Sequence, residues 1–451
     1  MGQQHSPTLG TFSCTYIDTL GRQLEQDSGE KKFLGTLGGV PRGYPLLKNL
    51  IQNGINFKTL QAQKDTCNTA FAEQGGRILA LMEQCPPSEI AVGKDGTVTT
   101  VEAATRLGGA IANAPITGGS LSAHGRTCPD TGERFSVSYQ SAERPFLRMD
   151  VFHRDFQLKR SRGIDIPTGI FSHDCAITKN YVVVLDFPLV LRSTNLLLDR
   201  FPVEYDPDHQ ARIGLVPRTG EGEVRWFNCQ PGVVLHIGHA YESEDGKKVV
   251  IQGPRTIPNA DKSYLEQFTA AFMHEYIIDL DSGLVEENCI NPSSIVEFPM
   301  VNPKLTGKSE CEAVYCLVCR SIGGPMLIYA QPNEGLILGS INKMAVKDGN
   351  GYSKGDIISQ FDLSDRWFMV AEPTVVPRDG DSSGEYVMGI ATYVPEDVEW
   401  TEVKKDSTLC RSRAFILDGD DLSAGPIYSV DLPEPVPYGL HSSFIPWDIM
   451  K

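Results

Sequence analysis

Apolar and polar positions along this chain alternate in short runs rather than at helical spacing, and the runs are rich in Val, Ile, Tyr and Phe. YVVVLDFPLVL (181–191), KVVIQG (248–253), AVYCLVCRSI (313–322), MLIYAQ (326–331), YVMGIATYV (386–394) and RAFILDG (413–419) are the clearest cases. β-Branched and aromatic side chains suit a pleated, half-buried surface, so these runs predict strands. Turn signals such as PDTGE, LDSG, KDGNG and DGDSSGE recur between them. Helical patterns are few; Tyr44 to Gly54 and Lys262 to Tyr276 are the better ones. Many strands, few helices and no evident linker predict one large closed β-structure of the propeller type. No strong repeat of about 40 residues is visible, so periodicity alone does not define the blades.

Composition narrows the partners. Lys plus Arg is 41 against 57 Asp plus Glu, a formal charge of −16 over 451 residues. Phosphate binding needs a basic surface, so nucleic acid is excluded as the main partner. No apolar run reaches the roughly 20 residues that span a bilayer. The start MGQQHSPTLGTF has no basic region followed by an apolar one, so no secretory signal is visible. MGQQHS fits the loose Gly2 myristoylation pattern, which is short enough to arise often by chance. Eleven scattered cysteines fit a reducing compartment better than a disulfide framework. Cys316 and Cys319 stand in CxxC spacing with Cys311 nearby, but no second CxxC completes a zinc site, so buried strand thiols are expected.

The candidate chemistry lies in the nine histidines. His124, His173, His236 and His441 stand in similar settings, flanked by small residues that let backbones converge. In VVLHIGHAYESEDG, His236 and His239 are three apart. On a helix both would share a face; in an extended chain they point oppositely, and only one faces a common centre.

The stretches NTAFAEQGGRILALMEQCPPSEI, SAHGRTCPDTGERF, FSHDCAITKNYVVVLDFPL, ARIGLVPR, LHIGHAYE, IVEFPMVNP, AEPTVVPR and GPIYSVDLPEPVPYGLHSSFIP, in this order, resemble the carotenoid cleavage oxygenase family from about Asn68 to the C-terminus. The resemblance implies an all-β, seven-bladed propeller over 46–451, with a few helices and loops capping the iron-site face. Four histidines from the inner strands then hold one Fe(II): His124, His173, His236 and His441. Glu83, Glu297 and Glu372 fall in family motifs and would orient His173, His236 and His441 in turn, because a metal-bound imidazole needs an acceptor for its other nitrogen. His124 would have no carboxylate partner.

The implied reaction is O2-dependent cleavage of a conjugated C=C bond in a lipophilic polyene, a carotenoid or apocarotenoid, to aldehyde or ketone products. Family members that cut stilbene-type phenols are the alternative, as is a degenerate member that binds apocarotenoids or lipids without cleaving them. A propeller scaffold for protein partners would need none of these seven residues. Met82, before the first glutamate, is apolar and favours a polyene. The leucine-rich stretch with Leu191, Leu196, Leu197, Leu198 and Phe201 falls where the family often has a membrane-facing patch. The other reading is a strand and turn packed on the core. The expected location is cytoplasmic or plastid-associated, peripheral to a membrane.

Three departures stand out. Residues 1–45 lack the family's N-terminal pattern, which normally helps close the ring, so either GTFSCTYID (10–18) substitutes in the first or last blade or the chain is truncated and less stable. His239 replaces the usual Asn and would keep one hydrogen bond or crowd the iron. Gly125 replaces a common Pro, a loss of rigidity.

Overall fold

A computed structural model describes residues 11–33, 43–56, 64–111, 119–141, 143–196, 198, 202–257, 270–321, 336–378, 384–403 and 406–450. The predicted strands form, with boundaries adjusted. The run at 181–191 divides into Tyr181–Asp186 and Leu189–Leu191. MLIYAQ lies outside the described residues. Tyr44–Asn56 is helical as expected, and a further helix, Leu20–Ser28, begins at an N-capping Thr19 and stops at Gly29 with φ 67°. The predicted helix at 262–276 is not found where the chain is described. Phe272–Asp279 is a strand, because both flanks pair with it and Met273, Tyr276 and Ile278 enter cores between sheets.

Antiparallel sheets follow one another along the chain, spanning 70–102, 126–164, 176–228, 239–291, 296–362 and 367–431. Among the described residues they are six blades, called here blades 1 to 6, rather than the seven expected. The hairpin of Leu189–Leu191 and Val203–Tyr205 is an excursion between the second and third strands of blade 3, not a blade of its own. In each blade the last strand is the most exposed, as Pro426–Asp431 illustrates, so the first strands lie innermost.

Alternation along each strand explains why blades stack. Val182, Val184 and Val216 of blade 3 face Phe135, Val137 and Met149 of blade 2. Val183, Ile213 and Leu215, on the opposite face, meet Ile251 and Tyr276 of blade 4. Each such side chain is fully buried and contributes about 1.5–3 kcal/mol. Similar cores join blades 1 and 2, 4 and 5, and 5 and 6. Among the described residues no core joins blade 6 to blade 1. There, Ile17 and Ile445 pack on Ile78, Ile90, Val92 and Val98 of blade 1. Upstream of Leu20, the Asp18 amide donates to Thr100 Oγ1 on the outer strand of blade 1.

Candidate metal centre

His124, His173 and His236 each sit in the short non-strand approach to the innermost strand of blades 2, 3 and 4, and His441 lies in the C-terminal segment. These approaches converge, and one ring nitrogen from each histidine falls within 4.8 Å of the others. His173 Nε2 and His236 Nε2 are 3.3 Å apart, and the His124 ring centroid is 4.4, 5.0 and 4.5 Å from those of His173, His236 and His441. Gly253 permits the approach of the His236 loop, since a Cβ there would stand 2.6 Å from the His236 carbonyl oxygen.

Behind the rings stand the three glutamates, each on the histidine expected of it. Nδ1–H of His173 meets Glu83 Oε1 at 2.7 Å, that of His236 meets Glu297 Oε2 at 2.6 Å, and that of His441 meets Glu372 Oε2 at 2.7 Å. Each contact fixes Nδ1 as the donor and leaves Nε2 as a lone pair facing the centre. No carboxylate contacts His124 among the described residues. Its Nε2 is buried without any hydrogen-bond partner, an orphan that a native interior rarely tolerates.

Charge is distributed unequally over the cluster. Burial and the neighbouring imidazoles push His124 and His236 well below the ordinary histidine range, so both are neutral. Burial also lowers His173, but Glu83 outweighs it and leaves His173 raised and Glu83 lowered. Burial pushes Glu297 up to about 7. Four imidazoles this close tolerate few protons among them, and a cation would replace those protons. A Glu297→Gln change keeps an acceptor for His236 Nδ1–H and removes the charge; it is expected to weaken divalent metal affinity by about 10–100-fold in a titration of the purified chain.

Some residues of the site were not singled out from sequence. Phe171 stacks on His173 at 5.4 Å and Phe298 on His236 at 5.0 Å. Phe298 holds a left-handed φ of 54°, its amide tied at 2.6 Å to Glu297 Oε2. Such strain in a bulky residue persists only where the surroundings impose it. Beneath the rings, Asp174 accepts from the amides of Cys175 and Ile237 at 2.6 and 2.8 Å and from Arg126 Nη2 at 2.5 Å. Arg126 also donates to the carbonyls of Cys175 and Ile237. One ion pair thus ties together the loops of His124, His173 and His236. The HD dipeptide at 173–174 was its only sequence signal.

Other expectations fare unevenly. Of the two readings of His239 the single hydrogen bond holds: it opens an inner strand, is buried, and donates from Nε2 to Ser309 O at 2.6 Å instead of crowding the centre. Gly125 is a fit rather than a loss of rigidity, because a Cβ there would lie 2.9 Å from Nε of the buried Arg134. Met82 packs inside blade 1, with Sδ accepting from the Gln84 amide, and lines no described cavity. Leu191 is half-buried against the blade 2–blade 3 core. Leu198 is exposed, Leu196 lies in a one-turn 3-10 helix, and Leu197 and Phe201 lie outside the described residues. Cys316 and Cys319 are free thiols on one strand, both pushed up to about 12 by burial.

Comparison with known proteins agrees with this geometry. Carotenoid 9,10(9',10')-cleavage dioxygenase 1 of Phaseolus vulgaris is 27% identical over 450 residues, covering 96% of this chain and 77% of that protein. Apocarotenoid-15,15'-oxygenase of Synechocystis is 26% identical over 452 residues, covering 96% and 82%. The fold matches the solved structure of cobalt-substituted Synechocystis ACO with a TM-score of 0.70 at 24% identity, over 95% of this chain and 82% of that one. It matches the lignostilbene dioxygenase of Pseudomonas brassicacearum with a TM-score of 0.69 at 21% identity, over 94% and 82%. The model of the retinal pigment epithelial membrane protein (RPE65) family matches residues 8–446, and this chain belongs to that family, which includes the carotenoid cleavage dioxygenases.

Proposed function

We propose that this protein is a non-haem iron dioxygenase that cleaves a conjugated double bond of a carotenoid or apocarotenoid with O2. The observation that carries the reading is the cluster itself: four imidazole nitrogens within 4.8 Å, three rings held by carboxylates and the fourth with an orphaned Nε2. His124, His173, His236 and His441 would hold the ion. Neutral nitrogen donors suit Fe(II) and leave its charge uncompensated. Iron(II) with O2 supplies oxidative scission of an electron-rich alkene, which provides the electrons and leaves a carbonyl on each carbon.

The chain's own residues do the rest. Glu83, Glu297 and Glu372 hold three rings in one tautomer and orientation. Phe171 and Phe298 flank the histidines with hydrocarbon and exclude water from that side. No side chain need act as a proton donor or acceptor. A lipophilic substrate partitions into membranes, so contact with a membrane surface, in cytoplasm or plastid, belongs to the same proposal. No described helix is long and apolar enough to cross one.

With Met82 buried, the residue that favoured a polyene over a stilbene no longer does so. The carotenoid reading rests on the named relatives, and a stilbene remains the second substrate to test. The test is anaerobic loading with Fe(II), then O2 with an apocarotenal or a hydroxystilbene, followed by mass analysis of products. Two carbonyl fragments from the apocarotenal are expected. Fragments from the stilbene alone would move the assignment to phenols. Retained iron with neither cleaved would leave a binding protein.

A further inference from the structure

At the seam where, among the described residues, no core joins blade 6 to blade 1 lies a partly open cavity of about 760 Å³. Ile90, Val92 and Val98 of blade 1 form one wall, and Ile390, Ala414 and Ile416 of blade 6 the other. Phe71, Tyr428 and Phe444 stand at its surface, 37%, 54% and 48% exposed. It also reaches His441 and Glu372, while the other three histidines are not among its lining residues.

The walls define what fits. Three of the hydroxyls that touch the cavity are engaged, Ser442 Oγ with Glu372 O and with Thr374 Oγ1 and Ser443 Oγ with Phe71 O, while Ser13, Thr15 and Tyr428 add hydroxyls towards its rim. The one carboxylate, Glu372, is bonded to His441. A guest therefore meets mostly hydrocarbon, a few hydroxyls and no unpaired charge. A charged molecule would lose its hydration without replacement. The volume lies within the range of small-molecule sites.

We propose that this seam is a second binding site for an uncharged, elongated lipophilic molecule of the polyene class, seated between blades 6 and 1 beside the His441–Glu372 pair. The choice of polyenes among lipophiles rests on the function proposed above; the site itself does not.

Diphenylhexatriene, a neutral polyene that fluoresces on entering an apolar site, is the probe, titrated into the metal-free full chain. Saturable binding is expected, at least tenfold weaker in Ala414→Trp and in Val92→Trp, which fill the seam from opposite walls, and unchanged in Leu284→Trp, an exposed control elsewhere. A second measurement needs no substitution. Cys14 lines the seam and is exposed, as is Cys289 in blade 4, so bound probe should slow maleimide labelling of Cys14 several-fold and leave Cys289 unaffected.

Absent binding, binding indifferent to both tryptophans, or unprotected Cys14 would overturn the site. So would a wild-type dimer that the tryptophans convert to monomer, which would make the seam an interface between copies. Iron retention and cleavage are read separately. Loss of those with probe binding intact would sink the dioxygenase reading alone.

Discussion

Asp174→Asn is expected to destabilise the chain by about 3 kcal/mol, the lower end of the range for breaking a buried ion pair. The Asp174 side chain is 2% exposed and receives three donors, while Arg126 keeps 27% of its surface, which tempers the cost. Burial alone would lower the Arg126 pKa, but Asp174, with Cys175 and Glu372, more than offsets it. An asparagine turns its amide hydrogens towards groups that are themselves donors and leaves the guanidinium without a counter-charge. Chemical denaturation of the metal-free protein measures the effect. Arg126→Met with Asp174→Leu should recover only part of the loss, because the Cys175 and Ile237 amides stay unpaired. A loss below about 0.5 kcal/mol for Asp174→Asn would show that the pair does not hold the three loops. A fall in metal affinity should accompany the loss of stability, since those loops carry three of the four histidines.

His236→Ala is expected to abolish stoichiometric metal retention after Fe(II) loading and desalting, while His239→Ala keeps it. At a free metal concentration of 100 times the dissociation constant, binding should stabilise the wild type by about 2.7 kcal/mol. That gain should vanish in His236→Ala and persist in His239→Ala. His239 bonds to Ser309, so its removal should cost about 1–3 kcal/mol of intrinsic stability by orphaning that carbonyl. Metal kept by His236→Ala and lost by His239→Ala would reverse the assignment; equal loss from both would mean that stability, not coordination, governs retention.

The grouping of the four histidines was legible because it is written in residue types and their local motifs, as were the three glutamates that meet them. The Arg126–Asp174 pair was not, since its partners lie far apart in sequence and only the HD dipeptide marks one of them. The strand at Phe272–Asp279 was misread as helical because spacing in FMHEY fits either period, and only pairing with neighbouring strands decides. Leu191 illustrates the same limit: apolar character is visible, but whether it meets lipid or a neighbouring blade is not.

The sequence by itself determined the all-β class, most strand positions and the residues able to hold a metal, because alternation and coordinating chemistry are properties of local identity. Tertiary structure alone decided that six blades form, that His239 turns to Ser309, that Gly125 makes room for Arg134, and that blades 6 and 1 leave an apolar seam. Each depends on which faces meet. That is settled by packing between segments far apart in the chain, where one excursion or one missing core changes the ring without altering any local pattern.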